Sequence, residues 1–398
     1  MVPSGNSRPR FSKTVWAFGW ASLFTDVSAE MIYFMIPSFL STTLGAGAFA
    51  LGVVEGIAET VAAFSNWISG LVSDKVRHKK PLILFGYGLS GFVRPLIGLA
   101  GSWVAVLAVR VTDRVGKGFR SSPRDAMIAD VTPPDHRGAA YGLHRAMDHA
   151  GNVLGPVIAS FLLFLGLSMR HVFLAAAVPA VVVMFVLIWG VKESSKKRVL
   201  RAGSSPKEKK LNVSWNALSG TFKLYLLAVW VFALGASTDA FILLRLSNAG
   251  ISIAKVGLLW SLHNGLKMVS TYYGGQWSDR IGPRKMILSG WLVYALVYLA
   301  FAVVNSTVGL ITVFMLYALY YGLSEPSEKA WVAELVPAKI RGAAFGYYNG
   351  VAGLGLLPAS LLFGWVSTAW DPSTAFFVGA ILAGLGFGLL LFVKPKAN

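Results

Sequence analysis

Apolar stretches of about twenty or more residues follow one another from residue 14 to residue 393, and nothing else in this 398-residue sequence constrains its fold as strongly. A hydrocarbon core about 30 Å thick takes roughly 20 apolar residues of helix to cross. In lipid the backbone must satisfy its own hydrogen bonds, which an α-helix does. Six windows fall near 14 to 40, 48 to 72, 81 to 100, 103 to 131, 138 to 165 and 170 to 191. Six more fall near 217 to 245, 253 to 278, 286 to 304, 307 to 335, 342 to 367 and 373 to 393. The pattern predicts an all-α integral membrane protein with twelve transmembrane helices. Only 14% of residues are charged, against about a quarter in a soluble chain.

Between the two sets of six lies a basic stretch, residues 192 to 214, which reads as a solvated linker. The expected organisation is therefore a first half over 1–191, a linker over 192–214 and a second half over 215–398. The formal charge of +18 would suggest nucleic acid in a soluble protein. Here the basic residues fall on alternate loops, which makes the charge a topology signal and predicts both termini in the cytoplasm, with no nucleic-acid partner. The N-terminal Arg8, Arg10 and Lys13 precede an apolar run holding Asp26 and Glu30, which reads as a retained first span. The absence of cysteine excludes disulfides, thiolate metal sites and cysteine catalysis.

An internal repeat ties the halves together. ADVTPPDHRGAAYG (Ala129 to Gly142) returns as AELVPAKIRGAAFG (Ala333 to Gly346), an offset of 204. Gly70-Leu-Val-Ser-Asp74-Lys75 returns as Gly275-Gln-Trp-Ser-Asp279-Arg280 at an offset of 205, and Thr25-Asp26 has an echo in Thr238-Asp239. Parallel repeats of six spans are one architecture of secondary transporters.

Gly70-x-x-x-Asp74-Lys75-x-Arg77 resembles the signature loop between spans 2 and 3 of the major facilitator superfamily, and Gly275 to Lys285 resembles its second copy. Arg110 stands 27 residues before Arg137, a spacing similar to that of the superfamily's span 4 arginine. Gly151-x-x-x-Gly155-Pro156 resembles the span 5 motif of its proton-coupled exporters, with Ala159-Ser160 in place of the trailing glycines. The resemblance implies the two-repeat transporter fold and alternating access, and it favours export over uptake by symport. DRVGKGFRSSPRDA (Asp113 to Ala126) departs from the usual apolar, glycine-rich span 4.

An ionisable side chain at the bilayer centre costs upwards of about 2.5 kcal/mol, so each one inside a span needs a partner, a cavity or a task. Asp26 and Glu30 share one face of span 1 at i, i+4 spacing, and Glu55 and Glu59 repeat that spacing in span 2. A carboxylate crowded by a second carboxylate or by apolar surroundings can exchange a proton near neutral pH. Asp26 and Glu30 are the expected proton-coupling pair, unless each is the fixed partner of an intramembrane arginine. Glu55 and Glu59 either touch the solute or border the outer cavity. In span 4, Arg110 is the candidate solute contact, while Arg114, Lys117 and Arg124 suit a charge network that closes the cytoplasmic gate.

Span 5 brings His144 and Asp148 to i, i+4 spacing, with Arg145 beside them and Asn152 one turn on. These could relay a proton, or Asp148 could be the counter-ion of Arg145, Arg94 or Arg110. Asp239, His263 and Asn264 are the second half's candidate solute contacts. Gly151, Gly155 and Pro156 permit close packing and a bend, and Asp74, Asp279 and Arg280 read as gate latches. Tyr33, Trp230, Tyr272, Tyr317, Tyr321 and Tyr348 have no assigned role.

Together these features predict a secondary active transporter without a cofactor, a functional monomer of the plasma (inner) membrane whose partners are protons, lipid and a small solute. The leading cargo is a drug-like or organic anionic compound exported by antiport. A divalent metal or its chelate is the alternative, with its ligands unknown, and uptake is the alternative direction. An intramembrane enzyme is disfavoured because HExxH, GxSxG and GxxxxGK[ST] motifs are missing. A non-transporting receptor would have little use for carboxylates in spans 1 and 2.

Overall fold

In a computed structural model, residues 11–73, 78–133, 136–192, 215, 218–337 and 340–394 are described. Regular structure among them is helical throughout. Span 1 comprises α1 (Lys13–Tyr33), α2 (Ile36–Ser38) and a π-helical turn (Phe39–Thr43). Span 2 is α3 (Ala48–Ser73). Span 3 is α4 (Lys80–Val93), continued by a tighter turn (Arg94–Leu99) where Pro95 has no N–H to donate. Spans 4 and 5 are α5 (Trp103–Val131) and α6 (Arg137–Phe164), and span 6 is α7 (Met169–Ala175) with α8 (Ala177–Gly190).

Span 7 is broken into α9 (Gly220–Gly235) and α10 (Asp239–Asn248). Then come α11 (Ile253–Ile281), α12 (Pro283–Val303), α13 (Thr307–Leu335), α14 (Arg341–Ala369) and α15 (Pro372–Phe392). A single residue, Gly282 at φ 94°, turns α11 into α12, a backbone region that favours glycine. Of the twelve expected spans, ten are long and apolar enough to cross a bilayer by composition. The other two, α5 and α11, are 29 residues each and long enough. They fail on composition because α5 carries the arginine-rich string and α11 holds His263, Asn264 and Lys267. The costly residues are therefore concentrated in specific spans.

By contacts the chain forms two compact units, one of 1–32, 61–100 and 108–196, the other of 33–60, 101–107 and 197–398. The end of span 1 and the start of span 2 thus pack with the later helices. Ser38 Oγ donates to Ser247 Oγ at 2.8 Å. Gly52 lets α3 meet α14 so closely that a Cβ there would stand 2.3 Å from the Ser360 carbonyl oxygen.

The sequence repeat recurs as a packing repeat. In the first unit, a Cβ on Gly118 would lie 2.3 Å from Ser65 Cβ, and one on Gly86 would lie 2.9 Å from Arg120 Cβ. In the second, Gly322 meets Ser270 in the same way, with its carbonyl 2.3 Å from the added Cβ, and Gly290 meets Ser324. Each residue of one set lies 204 or 205 positions from its counterpart. The same helix crossings, α3 with α5 and α11 with α13, are cut to backbone distance by small residues, the usual device for tight packing in lipid.

Gly322→Ala should lower the detergent melting temperature by an amount equivalent to about 1 to 3 kcal/mol, because backbone and not a movable side chain stands in the way. Gly384→Ala, where nothing lies within 4 Å of the added Cβ, should leave it unchanged or raise it slightly.

Candidate functional site

Three arginines of the first unit converge on one carboxylate. Arg94 Nη2 and Nε donate to Asp113 Oδ1 at 2.7 and 3.1 Å, while Arg114 and Arg110 stand 3.7 and 4.0 Å from Oδ2. Arg94, Arg110 and Asp113 are each less than 5% exposed. Arg94 Nη1 also donates to the Thr25 carbonyl at 3.1 Å, tying span 3 to α1 beside Asp26. The tight turn at Arg94–Pro95 sets this side chain at the junction. The sequence offers Arg94 only as a candidate counter-ion of Asp148 and gives Asp113 no role of its own. The spacing of Arg110, Asp113 and Arg114 along α5 was the available signal for Asp113, whereas Arg94 lies in another span.

Asp26 and Glu30 are half-buried on α1. They lie where α6 crosses: a Cβ on Gly151 would stand 2.8 Å from Asp26 Cβ, and one on Gly155 would stand 2.9 Å from Glu30 Cβ. The two glycines thus press the backbone of α6 against the carboxylate-bearing stretch of α1, and Pro156 lies buried in the same turn. On α6, Asp148 takes a short hydrogen bond from Ser22 Oγ, with His144 Nδ1 at 3.7 Å and Arg145 Nη1 at 3.5 Å. Of the arginines considered for Asp148, Arg145 comes within 3.5 Å, whereas Arg94 donates to Asp113. Asp26 is within Coulomb range of Asp148, Glu30, Lys117 and Arg120.

The first unit therefore gathers Asp26, Glu30, His144 and Asp148 near one helix crossing. Asn152 is half-buried on α6, Lys117 is exposed, and Arg124 pairs with Asp125 at 2.9 Å. Arg120 is buried beneath the Tyr87 ring at 4.6 Å.

In the second unit the equivalent positions carry phenols. Counterparts of Arg94 and Asp113 at offset 204 are Tyr298 and Tyr317. Tyr317 Oη donates to Asp239 Oδ1 at 2.9 Å, and Tyr321 Oη reaches Oδ1 and Oδ2 at 3.0 and 2.9 Å. Asp239 opens α10 after the break in span 7, and Tyr298 Oη, 2.9 Å from Ser237 Oγ, holds the broken segment. His263 is fully buried, its ring flat against Phe314 at 4.5 Å and its Nδ1 3.0 Å from the Phe314 carbonyl. Asn264 is half-buried one residue on.

Glu328 accepts from Trp291 Nε1 at 2.8 Å and from Tyr348 Oη. The i, i+4 spacing of Tyr317 and Tyr321 could have flagged them, yet a phenol pair is silent until its carboxylate is placed opposite. Trp230 and Tyr272 are exposed, as belt residues are.

Glu55 is buried and Glu59 half-buried on α3, in the part of that helix that packs with the second unit. Gly70 lies on the last turn of α3. Asp74, Lys75, Arg77 and the linker 193–214 lie outside the described residues. Asp279 and Arg280 are exposed at the end of α11. Among the described residues no group of three or more His, Asp or Glu side chains comes together to hold a metal ion.

A membrane-spanning helical bundle with a packing repeat and charge networks inside its spans is an architecture of secondary transporters. The family model of the Major Facilitator Superfamily matches residues 18–247 and again 225–398. The chain belongs to that superfamily and is a multi-pass membrane protein, not an enzyme. It is 34% identical over 391 residues to an uncharacterized MFS-type transporter of Methanocaldococcus jannaschii, covering 96% of this chain and 95% of that one. It is 28% identical to a probable 4-methylmuconolactone transporter of Cupriavidus pinatubonensis, covering 86% and 80%. It is 24% identical to the multidrug resistance protein MdtH of Yersinia pestis, covering 87% and 85%. The fold matches the crystal structure of a bacterial homolog of the human lysosomal transporter Spinster, in an inward-facing and occupied conformation, with a TM-score of 0.76, 16% identity and coverage of 98% and 97%.

Breaking a buried ion pair from one side costs about 3 to 5 kcal/mol, whereas replacing both partners by apolar groups costs much less. Asp113→Leu should therefore destabilise the protein strongly, and adding Arg94→Met should recover part of the loss in a double-mutant cycle read by thermal unfolding, the remainder reflecting Arg110 and Arg114.

Proposed function

We propose that this transporter exports a small, drug-like or organic anionic solute in exchange for protons, by alternating access. One observation carries the reading: Asp26 and Glu30 stand where Gly151 and Gly155 press α6 against α1, with Asp148 and His144 on the same helix. A proton taken up at that crossing changes the charge between two helices packed at backbone distance, so protonation and helix movement act on the same contact. The span 5 glycines and the likeness to MdtH favour export over uptake. Arg110, Arg145 and Asn152 would meet an acidic group of the solute. Asp239, His263, Asn264, Glu55 and Glu59 are the second unit's solute contacts in this reading.

The gate residues in this reading are Gly70, Asp74, Lys75 and Arg77 with their repeat partners Asp279 and Arg280, together with Arg114, Lys117 and Arg124. The halves that rock are 1–191 and 215–398, joined by the linker 192–214. The protein works as a monomer in the plasma (inner) membrane with both termini in the cytoplasm, the side on which the basic loops fall.

Proteoliposome flux under an imposed pH gradient tests this. With an acidic lumen, protons leaving should draw an antiported organic solute inward, and with an acidic exterior they should drive a preloaded solute out. Uptake driven by an acidic exterior would instead establish symport. Asp26→Asn with Glu30→Gln should abolish the response to the gradient while leaving downhill exchange of solute; wild-type flux from that variant would sink the coupling assignment.

A further inference from the structure

The second unit places a cation on the ring of the same tyrosine whose hydroxyl holds a carboxylate. Lys267 Nζ lies 3.4 Å from the centroid of Tyr321. The Tyr321 hydroxyl, on the edge of that ring, donates to Asp239, and Tyr317 donates to the same carboxylate from one turn earlier on α13. The two hydroxyls are themselves 3.1 Å apart. Tyr33 Oη is 3.2 Å from Oγ1 of Thr238, the residue before Asp239, and its ring lies 5.6 Å from Trp260. Behind them His263 stacks on Phe314 and Tyr317, with a buried Nε2 that has no partner among the described residues.

Asp239, Lys267, Tyr321 and Tyr33 are all half-buried. An ammonium or carboxylate turned to lipid is costly, so the open side of this cluster faces water. A carboxylate held by phenol hydroxyls, with the face of one of those phenols open to a cation, is an arrangement that can recognise an alkylammonium group. Lys267 behaves as such a group on a tether: a primary ammonium at the end of a four-carbon stem, resting on a π face rather than on a carboxylate.

We propose that Asp239, Tyr317 and Tyr321 form a seat for the ammonium group of the transported solute, and that Lys267 is the resident cation which the solute displaces. The proposal rests on the transporter reading above and deepens it, giving the solute a positively charged nitrogen in addition to any acidic group. Charge favours one cation at a time here. With Lys267 seated the site is balanced, and a solute ammonium restores that balance only when the lysine swings away. Of the three carboxylates on α13, Glu328 is held by Trp291 and Tyr348, Glu325 pairs with Lys329 at 3.2 Å, and Glu334 is exposed near the end of the helix.

Equilibrium binding to the purified full-length protein in micelles tests the proposal, using benzyltrimethylammonium as the probe and phenylacetate as its anionic match in size. Lys267→Met should tighten ammonium binding about tenfold, equivalent to about 1.4 kcal/mol. Lys267→Gln should act in the same direction. Asp239→Asn should abolish binding in both backgrounds, and Tyr321→Phe, which keeps the ring and loses the hydroxyl, should weaken it only several-fold. Tyr321→Leu, which removes the ring, should lower wild-type affinity further and serves if neither lysine variant is monodisperse.

Unchanged or weaker ammonium binding in both lysine variants would overturn the proposal, as would full binding by Asp239→Asn. Tighter phenylacetate binding in wild type that is lost with Lys267 would overturn it in favour of an anion site. Micelles sustain no gradient, so failure here leaves pH-driven flux standing, and failure of flux leaves this site standing.

Discussion

A charged side chain within about 30 Å of hydrocarbon has no bulk water to return to, and the interior of this protein is organised around that fact. The first unit meets it with ions: Asp113 is clasped by Arg94 and approached by Arg110 and Arg114, and Arg94 reaches on to the Thr25 carbonyl. That last bond ties span 3 to span 1 one residue from Asp26. The geometry of the carboxylates on α1 thus depends on an ion pair that they do not themselves form.

The second unit meets the same demand with neutral donors. Where the repeat would put Arg94 and Asp113 stand Tyr298 and Tyr317, and where it would put Arg124 stands Glu328, held by Trp291 and Tyr348. The helix crossings are shared, since Gly118 on Ser65 and Gly322 on Ser270 are the same contact twice. Small residues at crossings are set by the distance between backbones, which a duplicated fold must keep. Groups lining the interior are free of that restraint, and there the halves diverged in charge.

Much of this was legible in the residues. The spans, the repeat and the role of Gly151 and Gly155 as close-packing positions follow from length, spacing and the absence of a Cβ. The His144 and Asp148 pair was visible because both lie on one helix, and i, i+4 spacing is a local property. Arg94 with Asp113 was not, since its members lie on different spans and either arginine of α5 served as well on paper. Tyr317 and Tyr321 stayed unassigned for the same reason: a phenol becomes a carboxylate's donor only when the broken span 7 brings Asp239 opposite.

By itself, then, the sequence determined a twelve-span bundle of two repeated halves and which spans carry charge, because hydropathy and helical period act along the chain. Which acid meets which base, which tyrosines face Asp239, and that the end of span 1 and the start of span 2 pack with the later helices were decided by tertiary structure. Those are contacts between helices, fixed by crossing geometry and close approach at glycine, and no spacing along a single helix encodes them.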